Sequence, residues 1–227
     1  MMSSVPVMPT PPSSKPTFYR WIIRILAILL FAVIAYRFST ETPSADQGKI
    51  STNLPRIGIV PSFLLTERSG KNISNKDLVG KIWVADFVYT TCPGPCPLVT
   101  ANMARIQSAV ANDPHVQLVT FTVDPEIDTP AVLAAYADKY GADPNRWWFL
   151  TGPQKPMYDL IQNGFFQVVQ DNHGKALQDG QYVVTHSTYF VLVDANGYVR
   201  NSYDGVGPDG RADLLKGIKI LENEEKQ

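Results

Sequence analysis

Cysteine is nearly absent: the chain has two, Cys92 and Cys96, in 227 residues. No disulfide network can hold this fold, and any cysteine chemistry belongs to this pair or to a partner molecule. Histidine is almost as scarce, with His115, His173 and His186 the full set. No arginine- or lysine-rich run in the body could form a phosphate-binding face. Lys15, Arg20, Arg24 and Arg37 give the first forty positions +4 against a chain total of −1, which leaves the rest at −5. A mildly acidic body argues against nucleic acid as a partner.

What remains is enough for one sizeable core. Hydrophobic residues make up 44% of the chain, aromatic ones 11% and charged ones 18%, which excludes a chain disordered throughout, a collagen-like repeat and a small disulfide scaffold. There is no internal repeat, and the low-complexity stretch is a Pro/Ser-rich leader at residues 1–17. An apolar run follows at 21–36, broken once by Arg24, whose long side chain can snorkel to lipid headgroups. Counted over residues 18–38 it approaches the ~20 residues a bilayer needs. A core helix beside a proline-rich leader would have nothing to pack against, so the run reads as a transmembrane anchor, with Trp21 and Tyr36 at interfacial positions. Lys15, Arg20 and Arg24 precede it and only Arg37 closely follows, which leaves the leader in the cytoplasm or matrix and exports the body. No A-x-A site closes the run, so an uncleaved anchor is expected. Residues 39–55 read as a polar tether and 56–227 as the folded body.

Within the body, period-two and helical patterns alternate. Residues 63–66 and the Gly70 turn suggest an opening hairpin. Strands are expected at 82–89, 116–123, 147–150, 165–170, 188–193 and 198–203, the last two joined by the hairpin signal Asp194-Ala195-Asn196-Gly197. Helices are expected at 97–111, at 129–140 with Thr129 as cap and Pro130 at the first helical position, at 155–163 and at 209–223. Alternation of this kind predicts an α/β fold, a central mixed sheet with helices on both faces.

Thr90-Thr91-Cys92-Pro93-Gly94-Pro95-Cys96-Pro97 lies where a buried strand ends and a helix begins, the place where backbone N–H groups and the helix dipole converge on a ligand. Cysteines four apart can close on each other or on one shared ion, and the positive helix end favours thiolate. Two small buried hydrophobes are the alternative, against which three prolines and a glycine make a rigid exposed turn. Two thiolates plus one imidazole suit a soft ion such as reduced copper, and zinc is a further option. His115 sits in a turn after Asp113-Pro114, and His173 on the polar turn Asp171-Asn172-His173-Gly174. His186 directly precedes the strand at 188–193, where it is either a ligand or a core histidine bonded to its neighbours. Asp124 closes a strand and either offers a carboxylate near the metal or, with Asp128, shapes and caps the turn before the next helix. Adjacent Trp147 and Trp148 place one ring in the core and one at the rim, and Tyr89 packs beside the site.

Phe87-Val88-Tyr89-Thr90-Thr91-Cys92-Pro93-Gly94-Pro95-Cys96-Pro97, then Val123-Asp124-Pro125-Glu126-Ile127-Asp128-Thr129-Pro130, Leu150-Thr151-Gly152, and His186 before a strand ending Asp194-Ala195-Asn196-Gly197 together resemble the Sco/SenC family. The resemblance implies a membrane-anchored thioredoxin-like domain that binds one copper ion, as Cu(I) or Cu(II), through Cys92, Cys96 and His186. It implies a metallochaperone that helps build the copper-A centre of cytochrome c oxidase, with the oxidase subunit as partner and a thiol–disulfide reductant or another copper carrier as further ones. The alternative is a thiol–disulfide oxidoreductase in which Cys92 and Cys96 are the redox-active pair and Cys92 attacks. A leader that is rich in proline and poor in arginine suggests the bacterial inner membrane with the body in the periplasm; the mitochondrial inner membrane, facing the intermembrane space, is the other setting.

Overall fold

The computed structural model describes residues 17–40, 53–173 and 184–226. The leader through residue 16 and the tether from 41 to 52 lie outside the described residues. The chain divides into two compact units, Met1–Ser51 and Thr52–Gln227. In the first, α1 spans Thr17–Thr40, and its described side chains, residues 21–34 and Tyr36, are exposed. Among the described residues no helix is long and apolar enough to cross a membrane.

The second unit is built on one mixed sheet. Its strands are β1 (Gly58–Ile59), β2 (Leu64–Glu67), β3 (Asn72–Ser74), β4 (Ile82–Val88), β5 (Val116–Thr122), β6 (Trp147–Thr151), β9 (Tyr189–Val193) and β10 (Tyr198–Asp204), in the order β1-β10-β9-β4-β5-β6-β2-β3. Strands β4, β5 and β6 run parallel and the remaining pairings are antiparallel. Every residue of β4 and β5 is buried, as expected of parallel strands covered on both faces. Two further strands, β7 (Val169–Asp171) and β8 (Val184–His186), pair with each other in a separate antiparallel ribbon.

Alternation along the strands sorts the helices. Thr120 and Trp147 share one face, where the Trp147 indole N–H donates to the Thr120 hydroxyl at 2.8 Å. Over that face lie α2 (Cys96–Ala109), α3 (Pro130–Lys139) and α5 (Pro208–Glu225). Tyr136 of α3 meets the Phe149 ring and shares a 2.8 Å hydrogen bond with the Thr100 hydroxyl of α2, while Gly217 of α5 comes so close to Tyr203 and Leu192 that a Cβ would strike the Tyr203 hydroxyl at 2.1 Å. The opposite face carries Trp83, Phe87 and Phe121, all in ring contact with Phe165, just past α4 (Gln154–Asp159). Each fully buried ring of this kind contributes about 1.5–3 kcal/mol.

Two elements differ from the sequence expectation. The helix expected at 155–163 is α only to Asp159 and continues as a π turn, Leu160–Gly164, which the Phe165 N–H closes on the Leu160 carbonyl at 3.2 Å. The strand expected at 165–170 starts late, because Phe166 adopts φ 57°, a left-handed conformation that an extended strand excludes. Its exposed ring lies over Gly58, where a Cβ would meet it at 2.6 Å. By contrast Thr129 caps α3, accepting from the Val132 N–H at 3.4 Å, and Gly197 takes φ 83° in the hairpin turn, a conformation that glycine adopts without strain.

A bulge in β10 beside Val199 coincides with Arg200, and bulges re-aim side chains. The guanidinium is buried and meets Asp194 at 3.0 Å and Glu224 of α5 at 2.7 Å. It also donates to the Pro55 and Leu54 carbonyls and to Asn53. The start of the described body and its last helix are thereby clasped together, at the end of the sheet where β4 begins.

Candidate metal centre

Strand β4 delivers the chain to the opposite end. The Val123 N–H donates to the Val88 carbonyl at 2.9 Å, so the first residues past β4 and β5 stay paired. Asp128, fully buried, then accepts from the Thr90 N–H at 3.1 Å, from the Thr90 hydroxyl, and from the Thr122 hydroxyl at 2.6 Å. Burial pushes its carboxyl up, and these hydrogen bonds to Thr122 and Thr90 work against that. Rather than capping α3, Asp128 fixes the residue two before Cys92. Asp124 shapes the turn with its backbone, its carbonyl accepting the Ile127 and Asp128 N–H groups.

The turn is tightened by the Cys92 N–H donating to the Tyr89 carbonyl at 3.3 Å and the Gly94 N–H donating to Cys92 Sγ at 3.4 Å. Cys96 is the first residue of α2, one earlier than expected. Thr91 and Pro93 are exposed, but both thiols turn inward, Cys92 at 8% and Cys96 at 0% exposure. The turn is thus an exposed rim over buried sulfurs, where the sequence suggested an exposed turn throughout.

His186 ends β8. Its Nε2 lies 3.2 Å from Cys96 Sγ, and its Nδ1 lies 2.9 Å from the Ser187 carbonyl. A carbonyl only accepts, so Nδ1 carries the proton and, in the neutral ring, Nε2 presents its lone pair to the sulfurs. Tyr89 meets the imidazole edge-on, with centroids 5.7 Å apart at 82°. Around the ring, the Ser187 N–H donates to the Val168 carbonyl at 3.0 Å and the Val168 N–H to the Ser187 hydroxyl at 2.9 Å. The ligand position thus rests on the β7–β8 ribbon rather than on the main sheet.

The donor atoms of Cys92, Cys96 and His186 all lie within 4.8 Å of one another, and among the described residues no other trio of such side chains does so. Bond lengths of roughly 2.0–2.3 Å around one ion would set three donors just under ~4 Å apart, so the arrangement fits a metal after a shift of side chains alone. The pair of thiols divides its acidity. Cys92 is pushed down, chiefly by the hydrogen bond from Cys96, with the Gly94 N–H adding to it and burial working against it. Cys96 is pushed up, first by that same bond and then by burial. Of the two sulfurs, Cys92 is the one these contacts favour as thiolate.

The remaining candidates stand outside the trio. His115 is exposed, its N–H donating to Asp113 at 2.9 Å. His173 is also exposed, pairing with Asp171 at 2.7 Å and facing Asp124 at 3.7 Å. Asp124 is buried and directs Oδ2 to His173 rather than to the sulfurs. Trp147 is fully buried and Trp148 partly so. One buried acid went unnoticed in the sequence. Asp86 is fully buried in β4, and neither carboxylate oxygen has a well-formed hydrogen bond. Burial raises it to about 7 against the partial relief of Thr120, its register neighbour. A lone acid among the six apolar positions of β4 was the available signal.

The SCO1/SenC family model matches residues 52–219, which include all three donors. This chain belongs to the SCO1/SenC family. Among curated proteins, this SCO1/SenC chain is 33% identical over 162 residues to a SCO1 protein homolog of Bacillus subtilis, covering 70% of this chain and 81% of that one. Among solved structures, BsSco is 31% identical with a TM-score of 0.64, covering 74% of this chain and 97% of that one; it is described as carrying a disulfide switch and as a member of the Sco family of cytochrome c oxidase assembly proteins. ScoI of Bradyrhizobium japonicum, solved with copper bound, is 27% identical with a TM-score of 0.55, covering 70% of this chain and 99% of that one. The α/β body with its curled central sheet has the thioredoxin-like architecture of these Sco structures.

Proposed function

We propose that this SCO1/SenC protein is a copper metallochaperone that takes up one copper ion as cargo through Cys92, Cys96 and His186. Its acceptor is the oxidase subunit that holds the copper-A centre of cytochrome c oxidase. The observation that carries this reading is the meeting of two sulfurs and one ring nitrogen within 4.8 Å. Two thiolates and an imidazole suit soft Cu(I), and the set also accommodates Cu(II). The copper bound to ScoI and the assembly role stated for BsSco support cargo and destination. Copper loading requires the reduced pair, because metal binds thiolate.

Titrating the reduced full chain with Cu(II) is expected to give one equivalent bound, with thiolate-to-copper charge-transfer absorption; zinc, being d¹⁰, gives none. In His186→Ala copper retention should fall by at least the roughly 10- to 100-fold that loss of an outer-shell partner costs. Equal retention in the two proteins would remove the histidine from the site.

A second reading, a thiol–disulfide oxidoreductase that reduces the cysteines of the oxidase subunit or another exported protein, is favoured by one observation. The Gly94 N–H donates to Cys92 Sγ at 3.4 Å just before α2, and with the hydrogen bond from Cys96 this pushes Cys92 below the usual thiol range, which favours the thiolate that attacks a disulfide.

In the same proposal residues 18–38 anchor the protein in a bacterial inner membrane, with the body in the periplasm; the mitochondrial inner membrane and intermembrane space form the alternative setting. The apolar run at 21–36 in the sequence and the cluster of Lys15, Arg20 and Arg24 at its leading side support this reading. The full chain expressed in bacteria should resist alkaline carbonate extraction from membranes, with its body digested by protease added to spheroplasts. Release by carbonate would remove the anchor.

A further inference from the structure

The metal ligand His186 stands on a two-stranded ribbon, and an isolated ribbon is marginal by itself. What holds this one down is visible at its other strand. Asp171, the last residue of β7, pairs across the ribbon with Val184 and accepts the Gln154 amide of α4 at 3.2 Å. Asn172 donates to the Thr185 hydroxyl of β8 at 3.1 Å. His173 then folds back, its N–H donating to Asp171 at 2.8 Å and its Nδ1 lying 2.7 Å from the same oxygen. That bond leaves Nε2 facing Asp124 Oδ2 at 3.7 Å. Asp124 is 2% exposed and its Oδ1 is buried without a hydrogen-bond partner, so a cation opposite it relieves an otherwise costly buried charge.

Asp124 belongs to the same short segment that fixes the cysteine turn. Its N–H donates to the Thr122 hydroxyl, which donates to Asp128, which in turn accepts the Thr90 N–H and hydroxyl. One side of this segment therefore holds the strand end leading to Cys92, and the other faces the ribbon that carries His186. The geometry points to His173 as a positioning residue: its imidazolium, clasped between Asp171 and Asp124, pins the β7–β8 ribbon to the cysteine scaffold and so sets where His186 stands relative to the two sulfurs.

The ionisable groups around His173 are Asp171 on β7, Asp124 and Glu126 in the segment after β5, and Tyr158 on α4, which lies near the same three acids. All three acids favour the protonated ring, led by the bond to Asp171, so His173 is held above the ordinary histidine range. The clasp is closed where His173 is protonated and Asp124, itself pushed up by burial, is ionised, and it opens as pH climbs through the raised histidine value. Above it, Asp124 faces a neutral ring and the ribbon loses its ionic tie.

This inference rests on the copper site proposed above, and the test separates the two. In metal-free, reduced full-length protein, the Ser187 amide, which donates to Val168, reports whether the ribbon is seated. His173→Gln should lower its hydrogen-exchange protection. His173→Lys, which keeps a cation before Asp171 and Asp124, should restore it and flatten the decline in protection that the wild type shows with rising pH. Copper(I) retention in His173→Gln should drop by roughly 2- to 30-fold, the range for coupling carried through packed contacts, and the drop should vanish in a His186→Ala background. Unchanged Ser187 protection in His173→Gln overturns the latch, whatever copper does. A copper effect that persists without His186 overturns the claim that His173 acts through it. Failure of His186→Ala alone to weaken copper would strike the proposed function and leave the exchange measurement to decide the latch.

Discussion

Replacing Asp86 by asparagine should flatten a pH dependence of stability that the wild-type body carries between about pH 4 and pH 7. In the unfolded chain this carboxyl ionises near its ordinary 3.8; in the folded β4 burial raises it to about 7. Below the lower value both states hold the proton and stability is undiminished. As pH rises the unfolded state loses its proton first, so the folded state loses ground until its own carboxyl ionises, and the deficit then levels off at about 4 kcal/mol. Asparagine cannot ionise, so the stability difference between variant and wild type should be small or unfavourable at pH 4 and should turn in favour of the variant by pH 8. Urea denaturation of the metal-free, reduced proteins at both ends of that range measures it; a difference that stays constant with pH would mean that Asp86 finds a partner on ionising. Its charge also counts among the lesser causes that push Cys96 up, behind Cys92 and burial, so the variant should accept a second thiolate more readily.

Cys96→Ser should all but abolish copper retention. The hydroxyl that replaces the thiolate is a hard donor with little affinity for a soft ion, and loss of a direct ligand should exceed the roughly 10- to 100-fold effect of losing an outer-shell partner. The same variant separates the two functional readings. With no second sulfur to resolve it, Cys92 should form a lasting mixed disulfide with an oxidised small-molecule thiol near neutral pH, its thiolate still favoured by the Gly94 N–H and the start of α2. Cys92→Ser should lose copper equally but trap the probe poorly, since Cys96 is 0% exposed. Equal trapping by both variants, read by mass spectrometry, would overturn the assignment of Cys92 as the attacking sulfur.

The parts of this molecule readable in its sequence are those where one local rule decides. Six apolar positions interrupted only by Asp86 mark β4, Thr129-Pro130 starts α3 through cap chemistry, and Asp194-Ala195-Asn196-Gly197 closes a hairpin through the freedom of one glycine. The cysteine turn follows from its prolines and its place after a strand. The ribbon carrying His186 was hidden because β8 is three residues long and its partner starts late, after Phe166 takes a left-handed backbone conformation with its ring over Gly58. Distances across 90 positions, such as that from Cys96 to His186, have no local signature; the family resemblance supplied that pairing. Asp86 was legible as an anomaly in an apolar strand, while the bond from Thr90 to Asp128 was not, since both residue types are ordinary in turns.

The Arg200 clasp has a mechanical corollary. The described body begins at Asn53 beside Arg200, near the start of β4, and Cys92, Cys96 and His186 gather past its finish, so the length of that strand separates the entry of the chain from the three donors. A pull on Asn53 would load the Arg200 clasp, with Asp194 and Glu224 behind it, at the end of the sheet away from the sulfurs. Were the chain moored as proposed, a pull on the mooring would leave the pocket of two sulfurs and one ring nitrogen in shape.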